Sequence, residues 1–334
     1  MRRAVLLLFL FVSTPAPAAD AITLILNWVP GAEHAPFFFA ERQGWFRDTG
    51  IELTIDSVAG SPEAIKRALK EPRTLAVADF VAFLRTRDAR TPAYAVMALQ
   101  PRSPYAVYYT ADAGVGGPQD LAGKRIAAME QDPMRGLWMA LAARNGIDAS
   151  QTRWVALSNP QKPDALAAGE VDAALNPFLH NHLNYHAALG ERTRVTWWHE
   201  LGFEAYGHVL IASRDLLRSD PGLVRRFVSV IQSAWAQCLA EPEPCVNALV
   251  SENPQLDKER ESGVWALSSA LYGVGKRVDP VLGVFDPGRV QSTFRDLRSG
   301  ASEQDAEAAT RWVTNFLVLP SPDRGDQAVP GLDP

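Results

Sequence analysis

A cluster of side chains that can stack, hydrogen bond and exchange protons lies in the segment "NWVPGAEHAPF". Asn27 and Trp28 follow an apolar run, and an indole there can stack on a planar ring or pack an aliphatic chain. Glu33 and His34 could serve as acid–base groups, and His34 could instead hydrogen bond a ligand. Ligand binding, catalysis and core packing all remain open for this cluster, Phe37 included.

The elements around this cluster alternate between strands and helices in two stretches, residues 22–83 and 124–180. Short apolar runs predict strands, and helical spacing of apolar residues separates them. Such alternation predicts mainly parallel sheets with right-handed crossovers, and two copies predict two α/β lobes. The strand runs are "ITLILN", "IELTIDSV" and "TLAVA" in the first stretch and "KRIAAM", "TRWVAL" and "VDAAL" in the second.

The loops at the carboxyl ends of these strands are the predicted ligand-binding positions, because ligands of open α/β sheets bind there. If the lobes face each other, these loops line one cleft. They are residues 28–37, 59–62, 79–83, 129–134, 158–161 and 176–180.

Twelve residues at or near these strand ends form the predicted ligand site. Ser61 is predicted to cap a helix that starts at Pro62, and that helix end either suits an anionic ligand or is only capped. Asp79 favours a neutral or amine-bearing heterocycle, because a carboxylate repels anions. Each phenylalanine taken alone fits core packing as well. The set is Asn27, Trp28, His34, Phe37, Ser61, Asp79, Phe80, Glu130, Asn176, Phe178, Glu204 and Tyr206.

The histidine run "HNHLNYH" is the other candidate for chemistry. His182 and His186 share a helix face, which is a weak signal for zinc, whereas a solvated helix face also explains the pattern. We expect no metal and no cofactor. Motifs for a serine nucleophile, a P-loop and a dinucleotide site are absent from the sequence, which favours a binding protein over an enzyme.

Two extended segments, residues 94–110 and 205–217, are predicted to cross between the lobes and to act as a hinge. The expected organisation is a lobe one of residues 20–105 and 207–320 and a lobe two of residues 106–206. A tail rich in proline, glycine and aspartate, residues 321–334, is expected to be flexible.

The first 19 residues are predicted to be a signal peptide. Two arginines precede a short apolar run, and small residues suit cleavage near Ala18 or Ala19, so we expect a periplasmic protein. In an exported chain, Cys238 and Cys245 suggest a disulfide, although two free thiols also fit the spacing. The net charge of −5, without a basic block, argues against nucleic-acid binding.

Four motifs together resemble the ABC-transporter solute-binding proteins of the alkanesulfonate, nitrate and thiamine-pyrimidine-precursor group, which also contains the yeast-type pyrimidine synthase. They are "NWVPGAEHAPFFFAERQGWFRDTGIELTI", "DLAGKRIAA", "ALAAGEVDAAL" and "DPGLVRRFV".

The resemblance implies a type II periplasmic-binding-protein fold with two mainly parallel sheets joined by extended hinge segments. It also implies a monomer that carries a small nitrogen heterocycle to an ABC permease in the inner membrane. An organic anion is the alternative ligand, and an exported enzyme with Glu33 and His34 as acid–base groups is the alternative class.

The chain departs from the family pattern at "LKEPRTL", where Pro72 and Leu75 replace a glycine and an aspartate and change the turn. The synthase branch needs a cysteine-rich iron-binding motif and a lysine that donates its pyridoxal phosphate. The sequence has no cysteine cluster, so the resemblance implies binding rather than synthesis.

Overall fold

A computed structural model describes the chain over residues 19–87, 91–115, 117–130, 132–273, 282–298, 300–318 and 327–332. Residues 1–18 of the predicted signal peptide, and most of the predicted flexible tail, lie outside these ranges. No helix within them is long and apolar enough to span a bilayer.

Strands and helices alternate through the first two thirds of the described chain, and helices dominate the last third. The strands are β1 (Asp20–Leu26), β2 (Ile51–Ser57), β3 (Thr74–Asp79), β4 (Ala93–Ala98), β5 (Ala106–Thr110), β6 (Arg125–Ala128), β7 (Arg153–Ala156), β8 (Ala173–Asn176), β9 (Thr193–Trp197) and β10 (His208–Ser213). The helices are α1 (Ala35–Arg42), α2 (Trp45–Asp48), α3 (Ser61–Lys70), α4 (Phe80–Thr86), α5 (Pro133–Arg144), α6 (Lys162–Ala167), α7 (Leu179–Leu189), α8 (Arg214–Ser219), α9 (Pro221–Ala240), α10 (Pro242–Glu252), α11 (Lys258–Gly273), α12 (Pro287–Leu297) and α13 (Glu303–Ala309).

The strands form two five-stranded sheets with the same layout. Their orders are β2-β1-β3-β10-β4 and β7-β6-β8-β5-β9. The first three strands of each order pair in parallel, and the fourth is antiparallel to both neighbours. That fourth strand, β10 or β5, is the first strand after the chain crosses from the other sheet. The predicted α/β class with two units is confirmed, with one reversed strand in each sheet.

The first sheet is buried on both faces, which explains why β1 is continuously apolar rather than alternating. Leu24 and Leu26 pack in the core beneath α1, α9 and α10, whereas Ile25 points into a second core that also holds Phe83 and Phe294. Helices therefore sandwich this sheet, and its strand ends are the positions left for polar side chains.

Helix α3 begins one residue earlier than its sequence suggests, and the predicted N-cap role of Ser61 is wrong. Gly60 is the N-cap, with a φ of 106° that favours glycine. The Ser61 hydroxyl instead accepts hydrogen bonds from the Asn27 side-chain amide at 3.2 Å and from the Asp79 backbone N–H at 2.9 Å. Ser61 therefore joins three strand-end loops.

The two units contact each other on two sides besides the crossing segments. Helix α12 packs against α5, where Arg144 pairs with Asp296. Helix α11 packs against α7, where the Arg260 guanidinium donates to the His180 carbonyl and to Asn184. The bounds assigned to the lobes from the sequence stay a prediction, but the strands divide between the sheets in the same way.

A disulfide joins the end of α9 to the start of α10. Cys238 and Cys245 are bonded to each other, and both are fully buried. The loop between them is short, so the crosslink restricts the unfolded chain only modestly.

Replacing both cysteines by alanine is expected to lower the free energy of unfolding by about 2 kcal/mol, because the unfolded chain regains the entropy of the short loop. Urea denaturation measures this change, with the reduced wild-type protein as the control. Equal midpoints for the oxidised protein and the double variant would contradict the expectation.

Candidate functional site

A cavity of about 300 Å³ lies where strand ends of the two sheets meet. Its volume is at the small end of the range for small-molecule sites. The lining combines aromatic and apolar groups with a few polar side chains. It consists of Asn27, Trp28, Glu33, Gly60, Ser61, Pro62, Asp79, Ala82, Arg85, Thr86, Pro104, Tyr105, Met129, Pro177, Phe178, His180 and His208.

Two aromatic rings of the cavity lining come from different sheets and stack near each other. Trp28 follows β1 in the first sheet, and Phe178 follows β8 in the second. Their ring centroids are 6.4 Å apart and their planes differ by 22°. Because stacked atoms touch at about 3.5 Å, a planar ring between them needs centroids about 7 Å apart, so the two rings must separate slightly to admit one. The pair can therefore clamp a flat ligand between the units.

Asn27 is the centre of a hydrogen-bond network behind the ring pair. Its amide N–H groups donate to the Ser61 hydroxyl and to His208 Nε2, the latter at 3.3 Å. Its side-chain carbonyl accepts from His34 Nε2 at 3.4 Å. Asn27 is only 8% exposed, so these bonds satisfy polar atoms that water cannot reach.

His34 and His208 are held in the neutral form beside this network. Their rings stack with centroids 5.7 Å apart. His34 Nδ1 accepts from the Gly31 N–H, and its Nε2 donates to Asn27, which fixes one tautomer. Burial, and then the other histidines, lower the pKa of His34 well below its usual range and that of His208 to about 4. Neither imidazole can supply positive charge to a ligand at neutral pH.

Asp79 ends β3 and is held from two sides. Its Oδ1 accepts from the Ala82 N–H at 2.8 Å, which caps α4, and from the Tyr105 hydroxyl at 3.2 Å. Burial raises the pKa of Asp79 to about 6, and these hydrogen bonds oppose that rise. Arg85 lines the cavity nearby and partly offsets the Asp79 charge.

Glu33 contributes a second carboxyl group to the lining. Its Oε2 atom is buried and has no hydrogen-bond partner among the described residues. Burial, followed by the nearby Glu261 carboxylate, raises the pKa of Glu33 to about 7. A methyl group placed at Gly31 would lie 3.0 Å from Glu33 Oε2, which is tighter than an ordinary contact, and 3.8 Å from Glu261 Oε2, which is an ordinary one.

Three of the predicted site residues pack in the core and do not line the cavity. Phe37 contacts Phe227 and Trp235 on the far side of α1. Phe80 and Tyr206 pack on each other edge to face. The helix rotation at the start of α1 and α4 turns both phenylalanines away from the strand ends, where the sequence pattern placed them.

Three other predicted site residues also lie outside the lining. Glu130 and Glu204 are exposed, and their backbone carbonyls accept hydrogen bonds from Arg135 and Arg289. Asn176 is fully buried at the end of β8 and donates to the Phe178 carbonyl. Its position in the second sheet matches that of Asp79 in the first, but its side chain turns inward.

Asn27, Trp28, Ser61, Asp79 and Phe178 line the cavity, and His34 lies directly behind it. Their contact with a ligand stays a prediction.

The prediction from sequence missed several lining residues, chiefly Arg85, Tyr105, Met129, His180 and His208. His208 and Tyr105 belong to the segments that cross between the sheets, and Arg85 is on the second turn of α4. The strand-end rule examines only the loops directly after strands, so it cannot find these three residues, whereas Met129 and His180 lie in loops that the rule selected but were not chosen from them. The sequence could have indicated His208 and Tyr105, because both crossing segments must pass the cleft.

The histidine run divides between unrelated environments. His182 is buried, donates through Nε2 to the Pro104 carbonyl and contacts the Tyr108 hydroxyl through Nδ1. His186 is exposed, whereas His180 lines the cavity. Within the described ranges, no three histidine, cysteine or acidic side chains are grouped so that they could hold a metal ion.

Comparison with known proteins links the chain to one family. Residues 31–244 match the family model described as "NMT1/THI5 like". The 4-amino-5-hydroxymethyl-2-methylpyrimidine phosphate synthase of Legionella pneumophila is 23% identical over 242 residues, which cover 70% of this chain and 74% of that protein. The riboflavin-binding protein RibY of Chloroflexus aurantiacus is 24% identical over 241 residues, covering 69% and 67%.

Solved structures with the same fold include binding proteins and an enzyme. The periplasmic sulfonate-binding protein SsuA from Methylobacillus flagellatus superposes with a TM-score of 0.63 at 13% identity, over 91% of this chain and 94% of that one. The desulfurization enzyme DSZB superposes with a TM-score of 0.58 at 17% identity, over 89% and 97%. These matches confirm the two-lobed periplasmic-binding-protein fold. Because the sequence identities are 13% and 17%, the matches establish the fold and no shared function.

The raised pKa of Glu33 predicts a specific pH dependence of stability. The folded state keeps a proton on Glu33 up to pH ~7, whereas the unfolded chain releases it near pH ~4.5, so stability falls as pH rises. Glu33→Gln removes this loss. We expect the variant to gain about 2 kcal/mol relative to wild type when both are moved from pH 5.5 to pH 8.5.

Urea denaturation at the two pH values measures this gain. Glu130→Gln is the matched control, because Glu130 is an exposed glutamate in a strand-end loop. A gain for Glu130→Gln as large as that for Glu33→Gln would refute the assignment to Glu33.

Proposed function

Because the chain belongs to the NMT1/THI5-like family and has the two-lobed periplasmic-binding-protein fold, we propose that it is a solute-binding protein for a small nitrogen heterocycle. In this proposal the chain is exported to the periplasm, binds its ligand as a monomer and delivers it to an ABC permease. The ligand class is a pyrimidine like the precursors of thiamine.

The gap between Trp28 and Phe178 carries the proposal. Each ring comes from a different sheet, and the 6.4 Å between their centroids is slightly less than the ~7 Å that a stacked planar ligand needs. A small rotation about the crossing segments would open the gap, and closure would bring both faces onto the ring. Ligand binding would then stabilise the closed form, because only in that form do both rings stack on the ligand.

The charges in the cavity favour a ligand with N–H groups over an anion. Arg85 is the one cationic side chain among the lining residues, against the carboxyl groups of Glu33 and Asp79. The histidines in and behind the lining have lowered pKa values because they are buried, so they remain neutral. A sulfonate or nitrate would therefore find no excess of positive charge in the lining.

Two names among the similar proteins support a heterocyclic ligand. One relative is named for a hydroxymethylpyrimidine phosphate and another for binding riboflavin. Both ligands contain a pyrimidine ring, and the sulfonate binders resemble this chain only in fold. The cavity of about 300 Å³ suits a single ring with short substituents.

Binding without turnover is the second part of the proposal, although several relatives are named synthases. The chain has only two cysteines, and they form the disulfide, so it offers no free thiol as nucleophile or iron ligand. The cavity lining contains no lysine. Mass spectrometry of the recovered ligand tests this: an unchanged heterocycle supports binding, and a new product contradicts it.

A ligand screen tests the proposed class. We expect 4-amino-5-hydroxymethyl-2-methylpyrimidine to raise the thermal unfolding midpoint of the purified protein, because it binds only the folded state. Ethanesulfonate and nitrate are expected to leave the midpoint unchanged. Stabilisation by the anions together with no effect of the pyrimidine would overturn the ligand class.

Trp28→Ala tests the aromatic clamp. Losing one stacking face is expected to weaken pyrimidine binding by about 10- to 100-fold, as isothermal titration calorimetry would measure. Val29→Ala is the control, because Val29 is the adjacent residue, is 63% exposed and does not line the cavity. Equal affinities for Trp28→Ala and the control would show that the indole does not contact the ligand.

A further inference from the structure

Glu33 is surrounded differently from the other residues that line the cavity, because one of its carboxyl oxygens is buried near a second carboxylate. It sits in the short turn before α1, lines the cavity, and has one carboxyl oxygen buried without a partner among the described residues. The neighbouring Glu261 carboxylate accepts the Ala32 N–H at 2.7 Å and is only 6% exposed. A buried carboxylate beside another carboxylate is unfavourable, which favours the protonated form of Glu33.

A protonated carboxyl group has a specific recognition pattern. It presents one O–H donor and one carbonyl acceptor side by side. The N=C–NH₂ edge of an aminopyrimidine presents the complementary pair, a ring nitrogen that accepts and an amino group that donates. Two parallel hydrogen bonds in one plane result, and the Trp28 and Phe178 rings would fix that plane.

We propose that protonated Glu33 selects the ligand by pairing with the N=C–NH₂ edge of an amino-substituted nitrogen heterocycle held between Trp28 and Phe178. The proposal rests on the proposed function, because it requires a heterocycle in this cavity. It adds the residue that discriminates amino-substituted rings from rings without an amino group. Oε2 is shut off from solvent in this structure, so the pairing requires the Glu33 side chain to rotate toward the bound ligand.

The other titratable groups around Glu33 do not explain a loss of ligand affinity above neutral pH. The three imidazoles, His34, His180 and His208, are neutral there because burial lowers their pKa values. Asp79 is ionised, since its pKa is about 6.

Three further groups complete the surroundings of the site. Tyr105 keeps its proton, because burial raises its pKa. Arg85 is the arginine of the cavity lining. Glu261, whose pKa burial also raises, already accepts the Ala32 N–H and does not line the cavity.

The test uses glutamine as a mimic of the protonated carboxyl. Glu33→Gln keeps one donor and one acceptor at the same place but cannot lose a proton, whereas Glu33→Leu has a similar size and neither group. The probe is 4-amino-5-hydroxymethyl-2-methylpyrimidine, and its analogue without the amino group is the control ligand. Calorimetry at pH 7.5 and pH 9 gives the affinities, and unfolding midpoints confirm that the variants fold.

Wild-type affinity for the probe is expected to fall by about 20-fold from pH 7.5 to pH 9, as Glu33 loses its proton. Glu33→Gln is expected to bind about 4-fold more tightly than wild type at pH 7.5, where only about a quarter of wild-type Glu33 is protonated, and to lose the pH dependence. Glu33→Leu should bind at least ~10-fold more weakly and no longer distinguish the probe from the analogue.

Three outcomes would overturn the inference and leave the proposed ligand class standing. Equal binding by wild type and Glu33→Leu would show that Glu33 does not contact the ligand. Glu33→Gln binding as weakly as Glu33→Leu would show that a carboxylate is required instead. Persistence of the pH dependence in Glu33→Gln would assign it to another group. Failure of wild-type protein to bind either pyrimidine would overturn the proposed ligand class and this inference together.

Discussion

The hydroxyl group of Ser61 fixes the geometry on which the cavity depends. It accepts hydrogen bonds from the Asn27 side chain and the Asp79 backbone, and so joins the loops that follow β1 and β3 to the first residue of α3. Asn27 in turn fixes His34 and His208. These groups are shielded from water, and an unbonded polar atom there would cost about 1–3 kcal/mol. The first sheet therefore presents a rigid polar wall, against which a ligand can be oriented.

The second sheet supplies a different kind of surface. Met129, Pro177 and Phe178 line the cavity from that side and are apolar. One unit thus provides most of the polar groups and the other provides apolar contact, with the Trp28–Phe178 pair at their boundary. Orientation would depend on the first unit, and closure would depend on how well the second covers the ligand. Such a division lets a hinge motion change ligand contact without disturbing the polar network.

Much of this arrangement could be predicted from the sequence. Alternating strands and helices indicate two α/β units, and the strand-end rule places Asn27, Trp28, Ser61, Asp79 and Phe178 at the mouth of the cleft, where they line the cavity. The rule fails for Phe37 and Phe80, because it locates a loop but not the rotation of the helix that follows. A shift of one residue turns a helical side chain by about 100°, enough to move it from cavity to core.

The remaining features depend on contacts between distant parts of the chain. His208 and Tyr105 reach the cavity from the crossing segments, and Glu261 approaches Glu33 from 228 residues further along the chain. No local pattern records these approaches. The pKa of Glu33 therefore follows from the tertiary structure alone, and the sequence suggested only that Glu33 and His34 could act as an acid–base pair.

A crystal structure of the protein with 4-amino-5-hydroxymethyl-2-methylpyrimidine tests the central claim most directly. The account predicts the pyrimidine ring between Trp28 and Phe178, with ring-to-ring distances of about 3.5 Å on each face. A pyrimidine bound elsewhere, for example in the outer groove beside Glu41 and Arg47, or a cavity in which the two rings stay apart from the ligand, would contradict it.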